Sequence, residues 1–275
     1  MRIKLWGTRG SIAASGPETV RYGGDTSAVE VRSTAGDMIV LDGGSGLRPI
    51  GAVEVPERID ILLSHLHMDH VQGLPFFAPM LDPEVEVHVW GPVSLSRTLR
   101  ERLSRYLSPP LFPVRIRDLA NVVLHDVIPG TFQIGNIEVR ADLICHPGIT
   151  LGYRLSENGS SLTYLPDHEP AFGEQRYPGP PDWTSGFDLA SEADVLIHDA
   201  QYDDDEYETK VGWGHSSIGH LAEFAELTGV EKVVTFHHDP GHDDERLDAL
   251  HERLEATIDG DIEVVRGTAG ATLEL

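Results

Sequence analysis

Short apolar runs separated by glycine and other turn residues recur along the chain, and their period changes from two to about 3.6 in a few places. Runs at residues 3–6, 27–32, 38–42 and 59–64 read as four successive strands. Residues 85–90 alternate as a fifth, and further strands are predicted at 122–124, 137–143, 149–155, 161–165, 195–198, 232–236 and 262–265. A helix is expected at 71–80, bent by Pro75 and Pro79, and another at 94–107 through Leu95, Leu99, Leu103 and Leu107. Two more are expected at 217–228, behind a serine cap, and at 243–256. The proline-rich stretch 166–184 reads as an ordered loop, because candidate ligands lie on both sides of it. Many strands with helices distributed between them predict a layered α/β sandwich.

Composition narrows this picture. A chain of 275 residues with 40% hydrophobic content can form one layered domain over residues 1–275. No apolar stretch approaches the roughly 18 residues of a membrane span, and the opening residues reach glycine and charge too early for a secretory signal. The single cysteine, Cys145, excludes an intrachain disulfide framework, so a cytoplasmic enzyme is expected, as a monomer or a homodimer. The formal net charge of -24 disfavours a long nucleic acid. A small anionic substrate remains compatible, since bound divalent cations dominate at short range. The acidic runs 203–206 and 243–245 belong at exposed loops or helix starts. The arginines at 97, 100, 102 and 105 make 94–107 the one basic helix, read as a solvated face, a substrate gate or a dimer contact.

The candidate chemistry lies at the end of the fourth run. His65-Leu66-His67-Met68-Asp69-His70 places four potential ligands in six positions directly after a strand. Three imidazoles and a carboxylate so close together would be costly to desolvate, and a bound cation accounts for them. In an extended segment His65, His67 and Asp69 point to one side, and His70 can swing back toward the same centre. One ion could not use all four with further ligands from elsewhere, whereas two could. The glycine-rich run 42–46 follows a strand but lacks the lysine and spacing of a nucleotide-binding loop.

The His-x-His-x-Asp-His pattern, followed in order by Cys145-His146-Pro147-Gly148, Leu165-Pro166-Asp167-His168 and Thr235-Phe236-His237-His238-Asp239, resembles the metallo-β-lactamase superfamily over nearly the whole chain. The resemblance implies an αββα four-layer sandwich of two mixed β-sheets flanked by helices. It also implies a centre of two divalent cations, zinc foremost, with manganese or iron possible. His65, His67 and His146 would hold the first; Asp69, His70 and His237 the second; Asp167 would bridge them. His237 or His238 could supply the last ligand, and His237 is chosen for its place at the strand end, leaving His238 a supporting or substrate-contacting role. Asp42 fits the family's aspartate that orients a ligand histidine.

The reaction is suggested by a later pair. Ile197-His198-Asp199-Ala200-Gln201 and Gly214-His215-Ser216-Ser217 resemble the elements of ribonuclease Z-like phosphodiesterases in which a carboxylate orients a substrate-facing histidine, although glutamate is usual where Asp199 stands. The implied mechanism uses a metal-bridging hydroxide, with Asp69 in the catalytic set and His215, held by Asp199, as general acid to the leaving alkoxide. The run 63–74 looks like the cyclic phosphodiesterase of phosphonate breakdown, but this chain lacks that enzyme's structural zinc cysteines, so no third metal is expected. A small or cyclic nucleotide-like phosphodiester is therefore the expected substrate, with Arg9, Arg21 and Tyr22 read as structural loop residues first and as candidate substrate contacts second. The alternatives are an ester, thioester or lactam hydrolase, or a metal-dependent binding protein without turnover.

Overall fold

The structure, a computed structural model, describes residues 1–174, 177 and 180–275. Its strands are β1 (Arg2–Gly7), β2 (Ala28–Arg32), β3 (Met38–Leu41), β4 (Arg58–Leu62), β5 (Glu86–Pro92), β6 (Val122–Val127) and β7 (Gly130–Ile134). They continue with β8 (Ile137–Leu143), β9 (Leu151–Glu157), β10 (Ser160–Leu165), β11 (Val195–Asp199), β12 (Lys232–Phe236), β13 (Glu263–Val265) and β14 (Thr272–Glu274). The helices are α1 (Leu47–Ile50), α2 (Met68–Val71), α3 (Leu99–Leu103), α4 (Phe187–Ala190), α5 (Asp204–Tyr207), α6 (Ile218–Thr228) and α7 (Asp244–Thr257).

Two seven-stranded sheets form, in the orders β14-β1-β2-β3-β4-β5-β6 and β13-β12-β11-β10-β9-β8-β7. Strand alternation assigns their faces. Ile39, Leu41, Leu62, Val195 and Ile197 fill the core between the sheets, while Val40, Ile59 and Ile61 pack outward beneath α1 and α3, and Leu196 and Val233 pack outward with α4, α6 and α7. The result is the expected four-layer αββα sandwich, with each sheet mixing parallel and antiparallel pairs.

The parallel ladders position the site. β3 to β6 run parallel in one sheet and β10 to β13 in the other. Asp42, His65, Asp167 and His237 all follow within three residues of the end of a parallel strand, and Asp199 is the last residue of β11. Ligand-bearing loops thus gather at the carboxyl ends of parallel strands in both sheets.

Several elements differ from the sequence reading. The helix expected at 71–80 is α2 followed by two single 3₁₀ turns, with Pro75 and Pro79 in their first turns, where a missing N–H costs nothing. The basic helix at 94–107 shrinks to α3: Thr98 and Glu101 form a reciprocal capping box that fixes its start, and Leu95 is fully exposed. The run at 122–124 continues to Val127, and the strand placed at 149–155 is shifted to Leu151–Glu157. Edge strands β7 and β14 were not expected, because most of their residues are exposed and lack an apolar alternation. Both acidic runs are helix starts, with Asp203 and Asp243 as N-caps. Of the loop 166–184, residues 175, 176, 178 and 179 lie outside the described residues.

Candidate dinuclear metal centre

After β4 the chain stays extended through His67, whose φ of -66° and ψ of 155° cap α2, and then turns. The extended part presents His65 and His67, and the first turn of α2 brings Asp69 and His70 back to the same place. His146 arrives from the loop after β8, Asp167 from β10 and His237 from β12. Two ligand groups result: His65, His67, His146 and Asp167, and Asp69, His70, Asp167 and His237, each with donor atoms within 4.8 Å of one another. They share Asp167. One of its oxygens lies 3.7 Å from His65 Nε2 and 3.6 Å from His146 Nε2, the other 3.0 Å from His70 Nε2 and 3.3 Å from His237 Nε2.

The far sides of the imidazoles are occupied. His65 Nδ1 donates to Ser64 Oγ at 3.0 Å, His70 Nδ1 to Asp42 Oδ2 at 2.7 Å, His146 Nδ1 to the Gly214 carbonyl at 2.8 Å, and His237 Nδ1 to Gln201 Oε1 at 3.1 Å. Each arrangement leaves Nε2 as the free lone pair facing the cluster, as metal-binding histidines require. His67 is turned the other way, with Nδ1 inward, 3.2 Å from His146 Nε2. His65 Nε2, His70 Nε2 and Asp167 Oδ1 are buried without a hydrogen-bond partner. Buried orphan acceptors of this kind are rare, and cations would satisfy all three. The donor set, imidazole nitrogens with a shared carboxylate, fits two ions of the zinc, manganese or iron class.

The electrostatics divide the cluster. Burial pushes His65 and His67 below the ordinary imidazole range and His146 down to about 4, against the pull of Asp167. In the other group burial is outweighed: Asp167, Asp69 and Asp42 raise His70, and Asp167 with Asp69 and Asp199 lifts His237 to about 9. Burial opposes ionisation of Asp69 and Asp167 as well, yet the surrounding histidines hold both carboxyls below their usual range. This half is built to surround positive charge.

Backbone strain supports the second group. Asp42 and His237 sit at φ of 62° and 56°, left-handed values that few residues other than glycine adopt, although aspartate and histidine do so more often than most. His237 packs on Gly10 so tightly that a Cβ there would lie 2.5 Å from its ring, and the Ser11 amide donates to Asp69 Oδ2 at 2.8 Å. Asp42 accepts from the Ser64 amide and hydroxyl and from Tyr164 Oη besides His70.

His215 lies across both groups. Its ring stacks on His237 at 4.9 Å between centroids and meets His146 edge-on at 5.0 Å. Nδ1 donates to Asp199 Oδ2 at 2.7 Å, and the other Asp199 oxygen accepts from the amides of Gln201 and Ser216.

Other expectations change. Arg9 is fully buried and bonds the carbonyls of Gly23, Asp239 and His242; Arg21 pairs with Asp244 and Asp248; Tyr22 is buried and donates to Asp248. All three clasp loops together and none reaches the cluster. His238 faces away, its Nε2 on the Gly267 carbonyl, with burial lowering it to about 3. In the 42–46 run the amides of Gly43, Gly44 and Gly46 bond the carbonyls of His70, Ser27 and Thr26, so they hold the ligand turn and offer nothing to a phosphate. Ser11, Gln201, Ser64 and Tyr164 escaped the sequence reading. Gln201 was detectable two residues beyond Asp199, whereas Tyr164 reads simply as a strand aromatic.

Comparison with known proteins places this geometry. Residues 39–238 match the model of the family described as beta-lactamase superfamily domain. Ribonuclease Z of Haloarcula marismortui is 24% identical, with 86% of each chain covered. Among solved structures, the metallo-β-lactamase fold protein YhfI of Bacillus subtilis superposes with a TM-score of 0.73 at 17% identity, over 99% of both chains. A diphosphatase of the PhnP family gives 0.69 at 18% identity, over 100% of this chain and 97% of the other.

Proposed function

From the premise that the chain belongs to the β-lactamase superfamily, we propose that it is a dinuclear metal-dependent hydrolase of phosphodiesters, acting on a small or cyclic nucleotide-like substrate. The observation that carries this reading is His215: Asp199 holds it, and its ring contacts a ligand histidine of each group. The likeness to a ribonuclease Z supports the same reaction class.

Two divalent cations, zinc by preference, held by His65, His67 and His146 on one side and Asp69, His70 and His237 on the other with Asp167 between, would supply a nucleophile at neutral pH and offset phosphoryl charge. The protein's own groups do the rest. Asp199 accepts from Nδ1 of His215, which fixes the ring and leaves Nε2 to deliver a proton to the departing alkoxide. The two amides on the other Asp199 oxygen keep that carboxylate an acceptor. Gln201 fixes His237, and the Ser11 amide fixes Asp69. Thioesters, whose thiolate departs without a proton, would gain little from such a proton donor.

The small substrate is supported by charge. With a net charge of -24 the protein repels polyanions, and the basic segment is a single turn in which Arg102 is engaged by the Pro92 carbonyl and Asp126. The test is a screen of zinc- and manganese-reconstituted protein against cyclic nucleotides, linear diesters, a structured RNA, thioesters and lactams. Diester turnover should exceed the others by on the order of 10²-fold. Equal or faster thioester or lactam turnover overturns the reaction class, and preferred cleavage of the RNA overturns the substrate size.

A further inference from the structure

One buried carboxylate is not used by the mechanism above. Glu169 is 1% exposed and makes no ion pair among the described residues, an expensive state for a carboxylate unless donors surround it. Three donors do: Tyr207 Oη at 2.6 Å and the Gly212 amide at 2.7 Å on one oxygen, and the Gly214 amide at 2.8 Å on the other. Its own amide is tied to the Cys145 carbonyl, so Glu169 is fixed beside the loop that brings His146.

The Gly214 peptide makes the connection. Its N–H is held by Glu169, its carbonyl accepts from His146 Nδ1, and the next residue is His215. Gly214 lies at φ of 88°, and a Cβ there would fall 2.4 Å from His146 Nδ1 and 2.2 Å from Pro147 Cδ. The backbone at 212–214 therefore has one narrow position in which His146 and His215 are both correctly placed. Glu169 is the side chain that holds it there. Asp167 and His168, the two preceding residues, meet the same assembly: Asp167 lies between the ligand groups, and His168 receives Ser216 Oγ on its carbonyl.

We infer that Glu169 is a positioning residue that couples the first ligand group, through Gly214 and His146, to the proton donor His215. This deepens the proposed diesterase reading and rests on it for the His215 arm alone. A neutral amide cannot replace the carboxylate, because all three partners are donors and the NH₂ of a glutamine would face one of them.

The test uses full-length Glu169→Gln with two readouts. Competition with a chelator measures zinc and manganese affinity without any substrate, and the expected loss for the weakened ion is roughly 10 to 100-fold. Diesterase rates of E169Q, His215→Ala and the double variant, all at saturating metal, measure coupling, and the double variant should be no slower than H215A alone. Tyr207→Phe, which removes one donor and leaves both amide contacts, should shift the same two readouts in the same direction by only a few-fold; it serves if E169Q does not fold. Unchanged cation affinity in folded E169Q, or in folded Y207F where E169Q fails to fold, overturns the inference. So does a double variant in which the two losses multiply. If wild type binds zinc but hydrolyses no diester, the diesterase reading falls, and the affinity arm still decides the Glu169–His146 coupling.

Discussion

The two ligand groups of the cluster are made of the same residue types and yet are held in opposite ways. His65, His67 and His146 form an imidazole face in which His67 is exposed and burial keeps the rings neutral. Asp69, His70 and His237 lie deeper, with carboxylates on several sides that favour positive charge at this position. The first is supported by neutral acceptors alone, Ser64 Oγ and the Gly214 carbonyl, while the second has one neutral acceptor, Gln201, and one carboxylate, Asp42. The deeper group should thus bind its cation more tightly, because its ligands and their supports carry more negative charge. Asp167 is the only carboxylate in both groups, which makes it the strongest single point at which to break the comparison. Asp167→Ala should reduce bound metal from about two ions to one or fewer, and full occupancy by metal analysis would remove the bridge assignment.

Next in size is a variant that touches neither ion. His215→Ala should retain both metals and lose diesterase rate by roughly 10²-fold or more on substrates with alkoxide leaving groups. The loss should largely vanish with a nitrophenolate leaving group, which needs no proton. A loss that persists undiminished would mean that the ring acts through its contacts with His146 and His237.

Legibility followed the same division. The six-residue cluster was visible because its candidate ligands are adjacent in sequence, whereas His146, Asp167 and His237 were placed by the resemblance of three downstream motifs to the superfamily's pattern. The supports are scattered. Tyr164 and Ser64 converge on Asp42 from opposite sheets, and Ser11 reaches Asp69 from a loop 58 positions away, contacts that no local pattern encodes. The fold was legible where strands are half-buried and alternate, as in β3 and β4, and was lost at the exposed edges β7 and β14. Arg9, Arg21 and Tyr22 read first as structural loop residues and second as substrate contacts, and the carbonyls and aspartates from distant loops around them agree with the structural reading.

A smaller effect separates the two groups directly. Asp42→Asn keeps the volume of the side chain that receives His70 Nδ1, but an amide accepts more weakly and presents a donor to Ser64, Tyr164 or His70. The deeper cation should lose roughly 10-fold in affinity, with the outer one less affected because it is reached only through Ser64 and His65. Equal weakening of both ions in a stepwise chelator titration would show that the groups behave as one site.

A buried histidine whose hydrogen-bond partners are a backbone carbonyl and another imidazole serves as the control for this comparison. His198 donates from Nδ1 to the Asp199 carbonyl and faces His168 Nδ1 across 2.8 Å, all within the protein. Burial lowers it from 6.5 to about 4, the opposite of His237. Between those two pH values the unfolded chain binds the proton that the folded protein refuses, so its stability contribution is complete above pH 6.5 and is lost as pH falls toward 4. The loss amounts to about 3 kcal/mol by pH 4. His198→Gln can still donate and accept in the same place and does not titrate, so the fall in melting temperature over that interval should be shallower than in wild type. Identical slopes would mean that other buried groups set the acid limit, and that carboxylate neighbours, rather than burial, account for the whole contrast between neutral and charged histidines in this protein.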